Sequence, residues 1–489
     1  MFDSMKKYES AKRLMIAGVS LIGLLFTTAI YAYTWFTKYY DIVRFHNPAG
    51  GLKFYFRGHL LLLCIYLVLL FFFTRTYGGT KVGYLKGMDV YFSQVFSILI
   101  VNVVSYFQIS LMANWLVNVT PILWMTLAQV LVAAVWVFLC NRFYHLLFPP
   151  RKLLLVHGDR DIADIKSKFN SRKDKYSIKE TIHVGEGLDA VCTKASSGEF
   201  GAIVLWDIST AERNEIMKYC YARSIRIYFM PKIPDVLTKS SEQLNVFDTP
   251  IFLIREYELT VEQRFVKRLI DVVCSLILLV IASPFMLITA IAVKVYDGGP
   301  VLYKQVRCTR GEREFKILKF RSMRVDAEKD GVARLAAKND SRITPVGKFI
   351  RKVRLDELPQ LINILKGDMS FIGPRPERPE IIAQYKEEMP EFVFRMKVKA
   401  GLAGYAQVYG KYNTTPYDKL KLDLTYIQNY TVWMDIKLML LTLKILFVPE
   451  STEGVEANQT TAMKTQSPES VAKAEEENGS DERADREES

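Results

Sequence analysis

Two adjacent acids, Asp356 and Glu357, are the residues of this 489-residue chain whose surroundings best fit chemistry on a phosphate. They lie in the stretch RLDELPQLINILKGDMSFIGPRPERPE at 354–380, among three clusters of basic residues: Lys316, Lys319, Arg321 and Arg324, then Lys348, Arg351, Lys352 and Arg354, then Arg375 and Arg378. A carboxylate can attack a phosphoryl group, and arginine and lysine stabilise the charge that develops. The pattern therefore predicts acids acting on a polyanionic substrate that the bases hold.

Other catalytic classes lack their residues in the C-terminal half. No histidine follows His183, so a Ser-His-Asp or Cys-His arrangement is excluded there. A Gly-x-x-x-x-Gly-Lys-Ser/Thr loop is also missing, which excludes a P-loop kinase. The six cysteines form no Cys-x-x-Cys pair and indicate neither a zinc site nor a disulfide framework.

The residues around the acid pair predict two helices. Thr344-Pro345 is typical of an N-cap with proline at the first helical position, and that helix should end near Val353. A second helix should begin at Asp356 and end at Gly367. The helix dipole and the arginines would keep the pair ionised and able to share a divalent cation with a phosphate. Such a pair is also a common solvated cap, so the residues alone leave both interpretations open.

The N-terminal region has the composition of a membrane protein. No charged residue interrupts 90–140, and four apolar segments approach the about 20 residues that cross a bilayer, at 14–36, 54–73, 90–111 and 121–140. Basic residues precede the first segment, separate the second from the third and follow the fourth, which places both ends inside. We therefore expect an α-helical four-span bundle at 1–150 in a membrane.

Residues 151–262 predict a small α/β domain. Apolar runs at 153–156, 202–206 and 226–230 alternate with helix-like segments, as in a parallel sheet. The turn after the first run contains only Gly158, where a dinucleotide site needs Gly-x-Gly-x-x-Gly. We expect a Rossmann-like domain with a degenerate nucleotide site and a structural or regulatory role, with nucleotide binding as the alternative.

The tail at 451–489 is acidic and poor in large apolar residues, and it is predicted to be disordered. The formal net charge of the whole chain is nevertheless +13, so the rest of the chain is strongly basic. A basic body favours anionic partners such as lipid headgroups and phosphates.

One more apolar segment, at about 269–293, has Ser283 and Pro284 at its centre. Proline removes a backbone donor and kinks a helix. Basic residues flank both ends of the segment, and both flanks prefer the cytosolic side. We therefore expect a re-entrant membrane helix with its break at Ser283-Pro284, and a kinked spanning helix is the alternative.

Five motifs of the C-terminal half resemble those of the bacterial sugar transferases, large monotopic phosphoglycosyl transferases that begin polysaccharide synthesis on a polyprenyl phosphate. They are KRLIDVVCSLILLVIASPF, GGPVLYKQVR, FKILKFRSM, LDELPQLINILKGDMSFIGPRPE and AGLAGYAQVYGKY. Four preceding spans and an α/β domain are typical of the family's long form. The resemblance implies a mainly α-helical catalytic domain, with the re-entrant helix, at 263–450.

The resemblance also implies a reaction. A UDP-sugar and undecaprenyl phosphate would give undecaprenyl-diphospho-sugar and UMP, with Mg²⁺ as cofactor. The implied location is the bacterial cytoplasmic (inner) membrane, with the catalytic domain facing the cytoplasm. Asp356 matches the family's nucleophilic aspartate and Glu357 its partner, and both are the implied metal ligands. The implied substrate-binding residues are Lys319, Arg321, Arg351, Gly373, Pro374, Arg375, Pro376 and Glu377.

The stretch AGLAGYAQVYG departs from the family's pattern. Many members have Pro, Thr, Trp and Asn where this chain has Ala400, Ala403, Tyr405 and Tyr409. The stretch is expected to touch the sugar or the nucleotide, so the identity of the sugar is not predicted.

Two other function classes stay open. A membrane-anchored nucleotide-sugar dehydratase would need a glycine-rich turn near Gly158 and a Tyr-x-x-x-Lys motif. A non-catalytic scaffold of polysaccharide assembly would not need Asp356, Glu357 and the arginines together. Membrane lipids are expected partners, and a second copy of the chain and polysaccharide assembly proteins are further candidates. No nucleic-acid partner is expected.

Overall fold

The computed structural model describes residues 2–45, 56–254, 259–324, 342–410 and 414–445. The chain divides into two compact units, with the boundary between Pro231 and Lys232. The predicted acidic tail at 451–489 lies outside the described residues.

The first unit begins with long apolar helices. Helix α1 (Phe2–Thr34) continues through a π-helical turn, Trp35–Tyr39, into α2 (Tyr40–Phe45), and the next helices are α3 (Phe56–Tyr77), α4 (Gly87–Ala113) and α5 (Thr120–Leu147). Across the described residues, five helical segments are long and apolar enough to cross a membrane, four in this unit and one in the second.

A polar cluster lies inside this helical bundle. Gln129 Nε2 donates hydrogen bonds to the Tyr66 hydroxyl and to the carbonyl of Thr27, both at 2.9 Å. Asn102 Nδ2 donates to Gln129 Oε1 at 2.8 Å, and the Tyr66 hydroxyl donates to Asn102 Oδ1 at 2.9 Å. The helices α1, α3, α4 and α5 each provide a partner, so mutual hydrogen bonds join them where apolar surfaces alone give little specificity.

The rest of the first unit is a small parallel α/β sheet. Its elements are β1 (Arg151–His157), α6 (Ala163–Asn170), β2 (Tyr176–His183), α7 (Leu188–Ser196), β3 (Ala202–Trp206), α8 (Thr210–Ala222) and β4 (Ile227–Phe229), and the strand order is β2-β1-β3-β4. The three predicted strands are confirmed, and β2 was not predicted.

The single glycine of the first turn has a structural explanation. Gly158 N donates to the carbonyl of Trp206 at 3.1 Å, and a β-carbon at position 158 would lie 2.0 Å from the carbonyl oxygen of Asp207. Glycine is therefore required because two strand ends approach closely, without any need for a bound nucleotide.

The second unit is mainly helical, with three pairs of short strands. It contains α9 (Ile233–Lys239), β5 (Glu242–Val246), β6 (Thr249–Leu253), α10 (Val261–Asp297), β7 (Leu302–Cys308), β8 (Glu314–Phe320), α11 (Pro345–Lys352), α12 (Gln360–Lys366), β9 (Ser370–Ile372), α13 (Pro379–Glu388), β10 (Gly401–Ala403), α14 (Tyr405–Tyr409), α15 (Pro416–Gln428) and α16 (Val432–Ile445). The pairs β5–β6 and β7–β8 are antiparallel, whereas β9 and β10 are parallel.

Helix α10 is one continuous helix of 37 residues. Ser283 and Pro284 lie inside it, so the predicted break does not end the helix, although Pro284 has no N–H for the helical ladder. Residues in both halves are buried against this same unit: Lys267 and Asp271 in the first, Val293 in the second. The re-entrant path remains a prediction.

The first half of α10 is bonded to the short strand β9. Lys267 Nζ forms an ion pair with Asp435 Oδ2 at 2.6 Å and donates to the carbonyl of Ile372 at 2.9 Å. One turn later, Asp271 Oδ1 accepts from Phe371 N at 2.9 Å. Lys267, one of the basic residues before the apolar segment, was expected to be a flanking charge at the membrane surface. It is buried instead, and the buried Asp435 provides its counter-charge.

We predict that Lys267→Met lowers the free energy of unfolding by about 3–5 kcal/mol, because Asp435 would stay buried without its partner. The double variant Lys267→Met/Asp435→Leu should recover part of that loss. Lys386→Met, which removes an exposed pair with Glu312, is the control and should cost at most about 1 kcal/mol. Thermal unfolding in detergent gives the comparison, and equal losses from the two single variants would contradict this role of the buried pair.

Candidate active site

The acid pair lies in a tight 3₁₀ turn, Leu355–Glu357, between α11 and α12. The predicted cap of α11 is confirmed: Thr344 Oγ1 accepts from Gly347 N at 2.9 Å, and Pro345 begins the helix. Gly367, with φ of +90°, ends α12 as predicted.

The predicted start of α12 was wrong, because the helix begins at Gln360 instead of Asp356. Pro359 has no N–H to donate to the carbonyl of Leu355, so the first hydrogen bond of a helix beginning at Asp356 is missing. The Leu358 amide donates to that carbonyl instead, at 3.2 Å. Asp356 is therefore not at the N-terminus of an α-helix, and the charges that act on it come from side chains.

Glu357 is surrounded by three cations. Its Oε1 lies 3.3 Å from Arg375 Nη2 and 3.4 Å from Lys319 Nζ, and its Oε2 lies 3.9 Å from Arg354 Nη1. Burial alone would raise the pKa of Glu357, but the charges of Lys319, Arg375 and Arg354 outweigh it and lower this pKa to about 2. Glu357 is therefore ionised at any physiological pH.

Asp356 differs sharply from its neighbour. Its side chain is buried, and among the described residues no hydrogen-bond partner reaches its Oδ1. Burial, followed by the negative charge of Glu357, raises the pKa of Asp356 to about 6, against the opposing charges of Lys319 and Arg351. The site thus contains the Glu357 carboxylate, which cations hold in place, and the buried Asp356 carboxylate, whose Oδ1 has no hydrogen-bond partner among the described residues. The Asp356 carboxylate is suited to act as a nucleophile.

The stretch 373–377 follows β9 and brings Arg375 to Glu357. Gly373 N donates to the carbonyl of Ala403, and the Pro374 carbonyl accepts from Gly401 N, both at 2.9 Å. A β-carbon at position 373 would lie 2.3 Å from the carbonyl oxygen of Lys399. Glycine at position 373 therefore allows the segment that leads from β9 to Arg375 to pack closely against residues 399–403.

Two further arginines hold this stretch, and neither was predicted as a site residue from the sequence. Arg307 Nη1 donates to the carbonyl of Pro376 at 3.1 Å, and Arg395 Nη2 donates to the carbonyl of Arg375 at 3.0 Å. Their guanidinium groups also lie 3.8 Å and 3.5 Å from the Glu377 carboxylate. The only available signal for Arg395 was its place between apolar residues in FVFRMKV.

The predicted substrate-binding residues do not all meet at the acid pair. Lys319 and Arg375 contact Glu357, and the charge of Arg351 acts on Asp356. The buried Arg321 instead forms an ion pair with Asp297, an exposed residue at the end of α10. In a strand, side chains two residues apart point to the same face, so Arg321 would share the face of Lys319 if β8 continued. The strand ends at Phe320, and this rule no longer applies to Arg321.

Magnesium fits this site only together with a substrate. The described part of the chain contains no group of three or more His, Cys, Asp or Glu side chains placed to hold a metal ion. Mg²⁺ commonly takes one or two carboxylates and completes its shell with phosphate oxygens and water. The unpartnered Oδ1 of Asp356 is suited to coordinate such an ion. Glu357 differs, because it already has three cations around it.

The family model described as bacterial sugar transferase matches residues 262–449. A UDP-N-acetylgalactosamine-undecaprenyl-phosphate N-acetylgalactosaminephosphotransferase of Aeromonas hydrophila is 35% identical over 251 residues, 49% of this chain and 56% of the relative. A UDP-glucose:undecaprenyl-phosphate glucose-1-phosphate transferase of Escherichia coli K12 is 39% identical over 220 residues, 43% of this chain and 47% of the relative. An undecaprenyl-phosphate galactose phosphotransferase of Salmonella typhimurium LT2 is 31% identical over 361 residues, 64% of this chain and 74% of the relative.

The matches to the first two relatives span about half of their length, whereas the Salmonella match spans most of that protein. The chain belongs to the bacterial sugar transferases.

We predict that Gly373→Ala destabilises the second unit by at least about 1–3 kcal/mol, the usual cost of overpacking, because the new methyl group meets backbone atoms that cannot rotate away. Gly18→Ala is the matched control, since a β-carbon there meets no atom within 4 Å. Thermal unfolding of both variants tests this, and a Gly373→Ala protein as stable as the control would show that the close approach is not required.

Proposed function

We propose that this chain transfers a sugar-1-phosphate from a UDP-sugar to undecaprenyl phosphate and releases UMP, as the first membrane step of polysaccharide synthesis. The observation that supports this most is the buried Asp356 with an unoccupied oxygen beside a carboxylate that holds Lys319 and Arg375. The three relatives described above are all named as transferases of a sugar phosphate that act with undecaprenyl phosphate.

In the first half-reaction, the Asp356 carboxylate attacks the phosphorus that bears the sugar. The bond from this phosphorus to the oxygen bridging to the uridine-linked phosphate breaks, and UMP leaves with the electron pair. An aspartyl-phosphosugar intermediate remains on the chain. The nucleophile needs no general base because it reacts as a carboxylate, which is consistent with the absence of histidine from this half of the sequence.

In the second half-reaction, a phosphate oxygen of undecaprenyl phosphate attacks the same phosphorus. The bond to Asp356 breaks, and the carboxylate is regenerated with undecaprenyl-diphospho-sugar as product. Lys319 and Arg375 stabilise the charge on the phosphoryl oxygens in both steps, and Glu357 keeps these two cations in place. Magnesium held by the unpartnered Asp356 Oδ1 and the substrate phosphates would supply further positive charge, whereas Glu357, the other implied ligand, already faces three cations.

The sugar is expected to meet the helix α14. The Tyr405 and Tyr409 rings lie 4.5 Å apart there, and Gly404 before them is packed against the backbone of Gly373. Tyrosines stand where tryptophan and asparagine are frequent in the family. We therefore expect this stretch to set the sugar preference of the chain.

We predict that Asp356→Asn lowers the rate of UMP release by at least about a thousandfold, because the amide keeps the shape but cannot attack phosphorus. Glu357→Gln should be nearly as damaging, since Lys319 and Arg375 lose their counter-charge. Glu380→Gln, an exposed acid at the start of α13, is the control and should be fully active. The assay is UMP release across a panel of UDP-sugars, and near-normal release by Asp356→Asn would rule out this mechanism.

The raised pKa of Asp356 predicts an acid limb in the pH profile. A carboxyl group with a pKa of about 6 is protonated where an ordinary aspartate is still ionised, so kcat/KM should fall as the pH falls through about 6. Only the first half-reaction should be measured, because the acceptor's phosphate titrates in the same range.

A pair of neighbouring residues provides a matched test of this pH prediction. Arg351→Gln removes a charge that lowers the pKa of Asp356, so the acid limb should move to higher pH. Lys352→Gln changes an exposed neighbour and should leave the limb in place. A limb that stays fixed in the active Arg351→Gln enzyme would contradict the assignment to Asp356.

We also propose that the first unit forms a four-span bundle and that α10 is re-entrant, with the catalytic unit facing the cytoplasm. The contacts of α10 support this: Lys267 and Asp271 near one end and Val293 near the other are buried against one unit. A helix crossing the about 30 Å hydrocarbon layer could not bury both ends against a domain on one side.

Cysteine labelling in intact cells tests this topology. In a cysteine-free protein, an impermeant thiol reagent should label neither Glu262→Cys, in the first turn of α10, nor Lys304→Cys, in β7 after it, and both positions are exposed. Leu116→Cys, between α4 and α5, is the positive control and should be labelled. Labelling at Lys304→Cys alone would show that α10 spans the membrane and that the site faces outward.

A further inference from the structure

A second group of cations lies beside the membrane helix and is separate from those that act on the acid pair. It contains Arg268 of α10, Lys399 before β10, and Arg313 and Arg310 between β7 and β8. The charges acting on Asp356 and Glu357 are those of Lys319, Arg351, Arg354 and Arg375. The two groups share no residue.

Arg268 and Lys399 converge at Gly367, the residue that ends α12. A β-carbon at position 367 would lie 3.6 Å from Arg268 Nη2 and 3.7 Å from Lys399 Nζ. Arg268 is fixed in this position because it donates to the carbonyls of Ile364 and Leu365 at 2.6 and 2.7 Å. The bare surface of Gly367 therefore leaves room beside two positively charged groups.

Lys399 has no counter-charge of its own. Within the described residues, its ammonium group has neither a hydrogen-bond acceptor nor an ion pair, although the side chain is half-buried. Burial, and then the charge of Arg268, lower the pKa of Lys399, with Asp271 in opposition. The Asp271 Oδ1 atom already accepts hydrogen bonds from Ser370 Oγ and Phe371 N.

A half-buried cation that faces other cations is costly unless an anion completes the group. Arg313 adds little to this cost, because it is exposed and pairs with its own counter-charge, Asp368, at 3.4 Å. A phosphate would satisfy the geometry, because its oxygens can accept from an ammonium and a guanidinium group together.

The neighbours of Arg268 indicate where such a phosphate comes from. Phe265 and Leu269, next to it on α10, are 68% and 53% exposed, and the exposed apolar surface continues along the helix through Val273, Ile277 and Val280. Because α10 is apolar enough to enter a membrane, Arg268 near its start would lie at headgroup depth. Acyl chains could then lie on the apolar surface while the phosphate binds the cations.

We propose that Arg268 and Lys399 bind the phosphate of an anionic phospholipid headgroup at Gly367, with Arg313 at the edge of the site. The bound lipid would fix the depth at which α10 enters the membrane. This site does not depend on the transferase reaction, and its test involves no turnover.

The test measures lipid binding to delipidated full-length protein in detergent by native mass spectrometry. Phosphatidylglycerol should bind the wild type more tightly than phosphatidylcholine. Lys399→Met keeps the length of the side chain without its charge, and it should weaken phosphatidylglycerol binding by about tenfold, the effect of one charge-assisted hydrogen bond. Lys239→Gln, an exposed lysine on α9, is the control and should bind like the wild type.

A stability measurement separates loss of the site from loss of the fold. Without lipid, Lys399→Met should be at least as stable to heat as the wild type, because it removes an uncompensated charge. With phosphatidylglycerol, the wild type should gain more in Tm than the variant. Equal binding of the two lipids, retention of the phosphatidylglycerol effect in Lys399→Met, or the same gain in Tm from matched inorganic phosphate would each overturn the proposal.

Discussion

The buried ion pair between Lys267 and Asp435 is the interaction on which the geometry of the catalytic unit depends. Lys267 belongs to the apolar helix α10, and its ammonium group also binds the carbonyl of Ile372, the last residue of β9. The next residues lead to Arg375, which contacts Glu357 beside Asp356. Polar contacts of α10 and the chain that follows β9 therefore link this apolar helix to the acid pair. The proposed reaction, which joins a soluble sugar nucleotide to a lipid, would need both in a fixed relation.

The acid pair shows how two adjacent carboxylates acquire different properties. Glu357 faces three cations and stays ionised, whereas Asp356 is buried beside a negative charge. The backbone contributes to this difference, since Arg354 adopts a left-handed conformation with φ of 59° just before the turn. Such a conformation costs about 1–3 kcal/mol in a non-glycine residue, and its position next to the proposed nucleophile is consistent with a functional constraint.

Local sequence signals predicted much of the fold. Apolar runs identified β1, β3 and β4, and Thr344-Pro345 identified the start of α11. Strand β2 was missed because polar residues interrupt its apolar pattern and most of its side chains are only partly buried. The start of α12 was misplaced because the effect of Pro359 on the preceding turn was not considered.

Long-range partners explain what the sequence did not reveal about the site. Lys267 was interpreted as a surface charge because its partner Asp435 is 168 residues away. Arg307 and Arg395 received no role because nothing local shows that an arginine will be buried against a backbone carbonyl. The pair Asp356-Glu357 could be predicted as the site from the sequence, because its own residue types and the family's motif around it single it out.

The most direct test of the central claim is the mass of the protein after incubation with a UDP-sugar and no acceptor lipid. The mechanism predicts an added sugar-phosphate, located on Asp356 by peptide analysis, absent in Asp356→Asn and lost when undecaprenyl phosphate is added. UMP release that requires the acceptor and leaves no adduct would contradict a covalent intermediate, and an adduct on another residue would contradict the assignment of Asp356.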